Sequence, residues 1–179
     1  PEPFLLKKFR TGSLLLIDWI NLVNGDQKKL GTGLALLHKL SSENNPRKFG
    51  WAEDGFIGSG FQKGGWGENW GEYFVNFRLR PQMKIAKKWG LESSFYEEVL
   101  TNLISFLNEH QPIPSLVHGD LWSGNCASLK NGKGVIFDPA CWWADREVDI
   151  AMTRMFGGFS NRFYEGYNNV WPLEKESKD

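Results

Sequence analysis

Asp120, Asn125 and Asp138 are the residues whose types and spacing could do chemistry together. Leu116-Val117 is a short apolar run entering a turn at Gly119, and that turn presents Asp120. Asn125 follows five residues later. Ala127 to Leu129 and Val135 to Phe137 read as two short strands joined around Asn131-Gly132, a dipeptide that favours hairpin turns. A hairpin returns the chain to its starting level, so Asp138 should come back beside Asn125. An amide oxygen and a carboxylate held side by side suit a hard cation such as Mg²⁺, which keeps waters and phosphate oxygens as its other ligands. Asp120, one loop away, is placed to accept a proton from an attacking hydroxyl.

A base Asp, an Asn five residues on and a metal-binding Asp after a hairpin make up the phosphoryl-transfer template. The protein kinases themselves are a poor match, because Gly119 stands where they carry Arg and Asp138-Pro-Ala140 replaces Asp-Phe-Gly. The string His118-Gly-Asp-Leu-Trp-Ser-Gly-Asn125 carries a closer likeness. With Phe137-Asp-Pro-Ala140 and Asp145-Arg-Glu-Val-Asp-Ile-Ala-Met152, it resembles the fructosamine-kinase (ketosamine 3-kinase) family, within the aminoglycoside-phosphotransferase and protein-kinase-like superfamily. Leu34-Ala-Leu-Leu-His38, Phe49-Gly50, Ile57-Gly58, Arg78-Leu79 and Phe156-Gly-Gly-Phe159 extend the likeness over roughly residues 13–172.

The resemblance implies transfer of the ATP γ-phosphoryl group to the O3 hydroxyl of a ketosamine. Asp120 would be the proton acceptor, and Asn125 and Asp138 the Mg²⁺ ligands. Asp18-Trp19-Ile20 matches the hinge that would bond the adenine edge, and Asp149 would support the catalytic loop. His118 is expected to be a hydrogen-bonded scaffold. Trp122, Trp142 and Trp143 could stack on a sugar or on the group its amine bears, and Glu147 could attract a cationic amine. The implied fold is α+β and protein-kinase-like: residues 1–17 end a small-lobe sheet, 18–23 form the hinge, and 24–179 form a helical large lobe lacking its last helices. Gly60-Phe61-Gln62-Lys63-Gly64 departs from the family's usual Thr-Pro-Gln-x-Asn, and Cys141-Trp142-Trp143 replaces a Tyr pair. No glycine-rich phosphate loop and no strand Lys with a partner Glu precede the hinge. An aminoglycoside- or choline-type kinase and a catalytically silent kinase-like module therefore stay open as alternatives.

Several elements must position these residues. Phe4 to Phe9 and Ser13 to Ile17 read as a hairpin around Arg10-Thr11-Gly12. Asp26 to Leu40 has a helical period, with Asp26 as cap and Leu30, Leu34, Leu37 and His38 on one stripe. Residues 41–68 show no period and read as a loop. Asn69 is the expected cap of a helix burying Trp70, Tyr73, Phe74 and Phe77, which Pro81 should kink or end near Leu79. Ser94 and Glu97 read as a capping box for a helix through Asn108. Asp145 reads as the cap of a helix carrying Val148, Ala151, Met152 and Met155.

Composition narrows the classes. Twenty-one Lys+Arg balance twenty-one Asp+Glu, which gives no long-range pull toward nucleic acid or an anionic membrane. No uninterrupted apolar run reaches the ~18 residues that a spanning helix needs. Cys126 and Cys141 make no disulfide scaffold and lack zinc-ligand spacing. The expectation is a soluble, cytoplasmic enzyme with a small-molecule substrate. Nine Trp and twenty Gly point to flat aromatic packing surfaces and many tight turns.

Overall fold

A computed structural model of the chain describes residues 1–90 and 96–174. Strands β1 (Pro3–Phe9) and β2 (Gly12–Ile17) form the expected antiparallel hairpin. Both faces of that hairpin are exposed, so Phe4, Leu6, Phe9 and Leu15 meet solvent.

Helix α1 (Gln27–Glu43) starts where the sequence places it: Asp26 is extended, and its Oδ1 accepts from the Lys28 N–H at 3.0 Å. That backbone bond is the first cause holding the Asp26 carboxyl below its usual range, with Arg162 second. Leu30, Leu34, Ala35 and His38 form its buried stripe. They pack on α6 (Asn161–Asn168), which supplies Phe163, Gly166 and Tyr167. The two backbones nearly touch. A Cβ at Gly166 would lie 2.0 Å from the Lys28 carbonyl oxygen, and one at Gly31 would lie 2.0 Å from that of Phe163.

The segment read as an unstructured loop holds four short strands: β3 (Phe49–Trp51), β4 (Gly55–Ile57), β5 (Gly60–Gln62) and β6 (Gly65–Gly67). Each is three residues long, too short to display an alternating period. A four-stranded sheet runs in the order β6-β3-β10-β7, all pairs antiparallel, with β7 at Ser115–Val117 and β10 at Trp142–Ala144. A second core lies against it: Phe49, Trp70, Tyr73, Val117, Trp142 and Ala144. Trp70 stacks on Trp142 with ring centroids 5.9 Å apart, so part of the tryptophan load is core.

The helix expected after Asn69 is in three parts: α2 (Trp70–Tyr73), a π-helical segment (Phe74–Leu79) and α3 (Arg80–Ala86). Asn69 makes no side-chain cap; Asn108 of α4 (Tyr96–His110) reaches across instead and accepts from the Gly71 N–H at 2.8 Å. Pro81 does not end the helix. It has no N–H for the Phe77 carbonyl, the backbone takes π spacing up to Arg80, and the Arg78 guanidinium donates to that carbonyl at 3.2 Å. Ser94, the expected capping-box partner of Glu97, lies outside the described residues. No described helix is long and apolar enough to cross a membrane.

Candidate active site

The second hairpin, β8 (Cys126–Ser128) with β9 (Gly134–Ile136), pairs Cys126 with Ile136 and Ser128 with Gly134. Its strands begin and end one residue earlier than the sequence reading. Asn131 closes the turn by accepting from the Lys133 N–H, and Gly132 takes the left-handed φ of +80° that the turn needs. The ladder continues one step further, where the Phe137 N–H donates to the Asn125 carbonyl at 3.0 Å. Asp138 therefore emerges beside Asn125. It is exposed, and its φ of +56° is a strained setting for a residue with a Cβ.

Asn125 is buried and points its amide nitrogen at Asp120, donating to the backbone carbonyl at 2.9 Å and to carboxylate Oδ2 at 3.1 Å. With the nitrogen committed, the amide oxygen is the atom available to a cation. Asn125 and Asp138 thus offer one amide oxygen and one carboxylate. No group of three or more His, Cys, Asp or Glu side chains is placed to hold a metal among the described residues. This sparse donor set fits Mg²⁺, which dehydrates reluctantly and takes one or two carboxylates plus phosphate oxygens, and it does not fit an all-protein metal cage.

The Asp120 turn is fixed from beneath. β7 delivers His118-Gly119, and Asp149 of α5 (Glu147–Met155) accepts from both backbone amides: His118 N–H on Oδ2 at 2.7 Å, Gly119 N–H on Oδ1 at 2.9 Å. His118 is a scaffold residue. Its Nε2 bonds the Phe137 carbonyl at 2.9 Å and its Nδ1 accepts from the Asp120 N–H at 3.3 Å, which joins the turn to the hairpin end. Gly119 has φ +80°, and a Cβ there would lie 2.2 Å from the Ala140 carbonyl oxygen. No side chain fits, so the Arg of the protein kinases could not stand at this position.

The aromatic candidates separate. Trp122 is 42% exposed beside Asp120, its ring lying over Gly124. Trp143 is half-buried in β10, between Gly50 of β3 and Leu116 of β7. Trp142 is core. Asp18, Trp19 and Ile20 follow β2, with Trp19 91% exposed, and the chain then bridges to the hairpin through Val23 and Ser128 (N–H to carbonyl, 2.8 and 3.0 Å).

Glu147 is not gathered with the others. Two residues along a helix are about 200° apart, so the helix that aims Asp149 at the Asp120 turn aims Glu147 away from it. Glu147 instead borders a cleft of about 480 Å³ with Trp70, Phe106, His110 and Asp145, which none of Asp120, Asn125 or Asp138 lines. Burial, then the neighbouring Asp145, push its carboxyl up. Asp145 does start α5 as expected, accepting from the Glu147 N–H at 3.0 Å, and it pairs with His110 at 3.0 Å.

Residue spacing gives Arg78 no role, but the fold lays its guanidinium 4.5 Å over the Trp142 ring and 5.3 Å over Tyr73. Its Nη1 donates to the Lys63 carbonyl at 3.2 Å, tying the divergent 60–64 segment to the strand behind the Asp120 turn. Its Nε is buried without a hydrogen-bond partner among the described residues, and burial holds its pKa below the usual arginine value.

With this geometry in place, comparison with known proteins is decisive. The family model for fructosamine kinase matches residues 1–179. The chain belongs to the fructosamine kinase family. A probable ketoamine kinase from Synechocystis sp. is 37% identical over 177 residues, covering 97% of this chain and 59% of the relative. One from Vibrio cholerae is 36% identical over 186 residues, covering 100% of this chain and 63% of the relative. Among solved structures, a "putative fructosamine-3-kinase" from Haemophilus somnus superposes with a TM-score of 0.84 at 31% identity, over 98% of this chain and 59% of that one. Another from Thermobifida fusca gives 0.81 at 27% identity, over 98% and 61%. The chain thus spans about three-fifths of the length of these fructosamine-kinase relatives. Membership makes it part of a phosphotransferase family within the kinase-like superfamily, whose chemistry uses ATP and a small-molecule substrate.

Proposed function

We infer that this chain carries the catalytic centre of an ATP- and Mg²⁺-dependent kinase that phosphorylates a hydroxyl of a ketosamine, of fructosamine or ribulosamine type, in the repair of glycated amines. One observation carries the reading: the Asn125 amide reaches from the start of the hairpin to the Asp120 carboxylate at 3.1 Å, which supports Asp120 as a proton acceptor beside a cation-binding Asn125. Residues 1–17 correspond to the end of a small-lobe sheet, 18–23 to the hinge and 24–179 to a helical large lobe. The Val23–Ser128 bridge supports this assignment, because it brings the adenine-facing candidates Asp18, Trp19 and Ile20 toward the hairpin.

In the reaction, the sugar hydroxyl oxygen bonds to the γ-phosphorus, the bond to the β–γ bridging oxygen breaks, the hydroxyl proton passes to Asp120, and ADP leaves. Asn125 and Asp138 would hold the cation, which would supply neutralisation of phosphate charge. Asp120 orients the hydroxyl and takes its proton, an effect worth roughly 10²- to 10⁴-fold. Trp122, exposed beside Asp120, offers a flat face to the sugar, and the half-buried Trp143 of β10 is the second aromatic candidate.

The test is a substrate panel on the protein in its full natural length. Fructosyl-lysine, ribulosyl-lysine, an aminoglycoside and choline are each incubated with Mg·ATP, with ADP release and ³¹P spectra as readouts. Turnover of the fructosyl or ribulosyl amine supports the reading. Turnover confined to the aminoglycoside or choline, or to none of the four, overturns it.

A further inference from the structure

Behind the Asp120 turn runs a string of fully buried polar groups that joins elements far apart in sequence. The Tyr167 hydroxyl lies 2.8 Å from His38 Nδ1, and His38 Nε2 lies 3.1 Å from Asp149 Oδ2. Asp149 in turn holds the His118 and Gly119 amides. Tyr167, His38 and Asp149 each have 0% exposure.

With the imidazole neutral, the donors and acceptors fit together in one consistent way. A carboxylate only accepts, so His38 Nε2 must carry a hydrogen toward Asp149. In the neutral ring Nδ1 is then an acceptor, and the Tyr167 hydroxyl is the donor that meets it. Burial raises the Tyr167 phenol above its usual value, which keeps that hydrogen in place, and the Arg146 guanidinium lies 5.8 Å from its ring. Asp149 is thus a buried carboxylate satisfied by three N–H donors: one imidazole and two backbone amides. Such a network is stiff only when every member is satisfied. If His38 carried its hydrogen on Nδ1, one Asp149 bond would be lost and a nitrogen lone pair would face a carboxylate; a flipped ring would lose the same bond by putting a carbon there.

We propose that Tyr167 and His38 are positioning residues for the catalytic turn: Tyr167 fixes the His38 tautomer, and His38 orients the Asp149 carboxylate that holds the His118 and Gly119 amides under Asp120. Neither residue touches a reacting atom. Both act through Asp149, so α6, which lines no part of the site, sets the stiffness of the turn that does. The catalytic meaning rests on the kinase reading above, whereas the tautomer and the restraint on the turn do not.

The test therefore has an activity-independent half. The chain has three histidines, so ¹⁵N-histidine spectra at neutral pH are readily assigned. His38 is expected with a protonated Nε2 and an unprotonated Nδ1. In Tyr167→Phe, which keeps the ring and removes the hydroxyl, hydrogen exchange at the His118 and Gly119 amides should rise by about tenfold or more relative to Leu34 and Ala35. In the full-length enzyme kcat should fall on the order of 10- to 100-fold with KM unchanged. His38→Gln keeps an N–H where Nε2 stands and should stay within a few-fold of wild type; His38→Leu should not. An Nδ1–H tautomer overturns the proposal. So does unchanged exchange at His118 and Gly119 in Tyr167→Phe, or an even loss of protection across all amides in both Tyr167→Phe and His38→Gln. If the enzyme phosphorylates none of the four panel substrates, the kinase reading fails, while the tautomer and the exchange result still decide the restraint.

Discussion

The side-chain amide of Asn125 bonds Asp120 twice, once at its backbone carbonyl and once at its carboxylate. One residue thereby ties the start of the hairpin to the Asp120 turn, and on the proposed reading it also offers its amide oxygen to the cation. Asn125→Ala should lose both functions. Turnover is expected to drop by roughly 10²-fold or more, with a raised requirement for Mg²⁺. Steady-state kinetics over a Mg²⁺ titration check this, and a normal rate at ordinary Mg²⁺ would count against the shared role.

Helices α1 and α6 give a paired test of backbone packing. Gly33 in α1 has nothing within 4 Å of its would-be Cβ, so Gly33→Ala should stabilise by about 0.5–1 kcal/mol through helix propensity. Gly166→Ala would place a Cβ 2.0 Å from the Lys28 carbonyl oxygen, a backbone atom that cannot swing away. The clash outweighs the propensity gain, and a net loss of about 1–3 kcal/mol is expected. Urea unfolding of the two variants should move in opposite directions.

His110 and Asp145 should make stability depend on pH. The hydrogen bond to Asp145 is the first cause raising the His110 pKa above 6.5, and burial opposes it. A group whose folded pKa is raised stabilises in full below its unfolded value and loses that contribution as pH rises through the folded value. The stability gap between wild type and His110→Asn should therefore be widest below about pH 6 and close above neutrality. Thermal unfolding across that range measures it, and a gap that widens with pH would contradict the pair.

Cys126 is half-buried, and burial pushes its thiol up to about 11 from 9.0. Because the thiolate is the reactive form, iodoacetamide at pH 8 should alkylate Cys126 roughly a hundredfold more slowly than free cysteine. Mass-resolved labelling kinetics check the rate. Fast labelling would mean that the hairpin start opens readily.

The hairpin carrying Asn125 and Asp138 was legible because Asn131-Gly132 fixes the turn and a hairpin has only one way to return. The Asp26 cap and the His38 stripe were legible for a similar reason, as local patterns of a helix. What could not be read depends on long-range contact. Asn108 caps α2 from another helix, 37 residues away. His38 meets Tyr167 across 129 residues. Glu147 was expected near the substrate because its charge could attract a cationic amine, but the helical period sends it and Asp149 to opposite faces. Strands β3 to β6 were missed because three residues cannot show a period of two.

The central claim is that Asp120 takes the proton from the attacking hydroxyl. The most direct measurement compares wild type with Asp120→Asn in the full-length protein, following phosphate-ester formation on a fructosyl amine by ³¹P spectroscopy at saturating Mg·ATP. The isosteric amide keeps the Asn125 contact geometry close but cannot serve as the base. The expected result is a fall in kcat of roughly 10²- to 10⁴-fold with KM for the amine little changed. Equal turnover in the two proteins would contradict the assignment of Asp120.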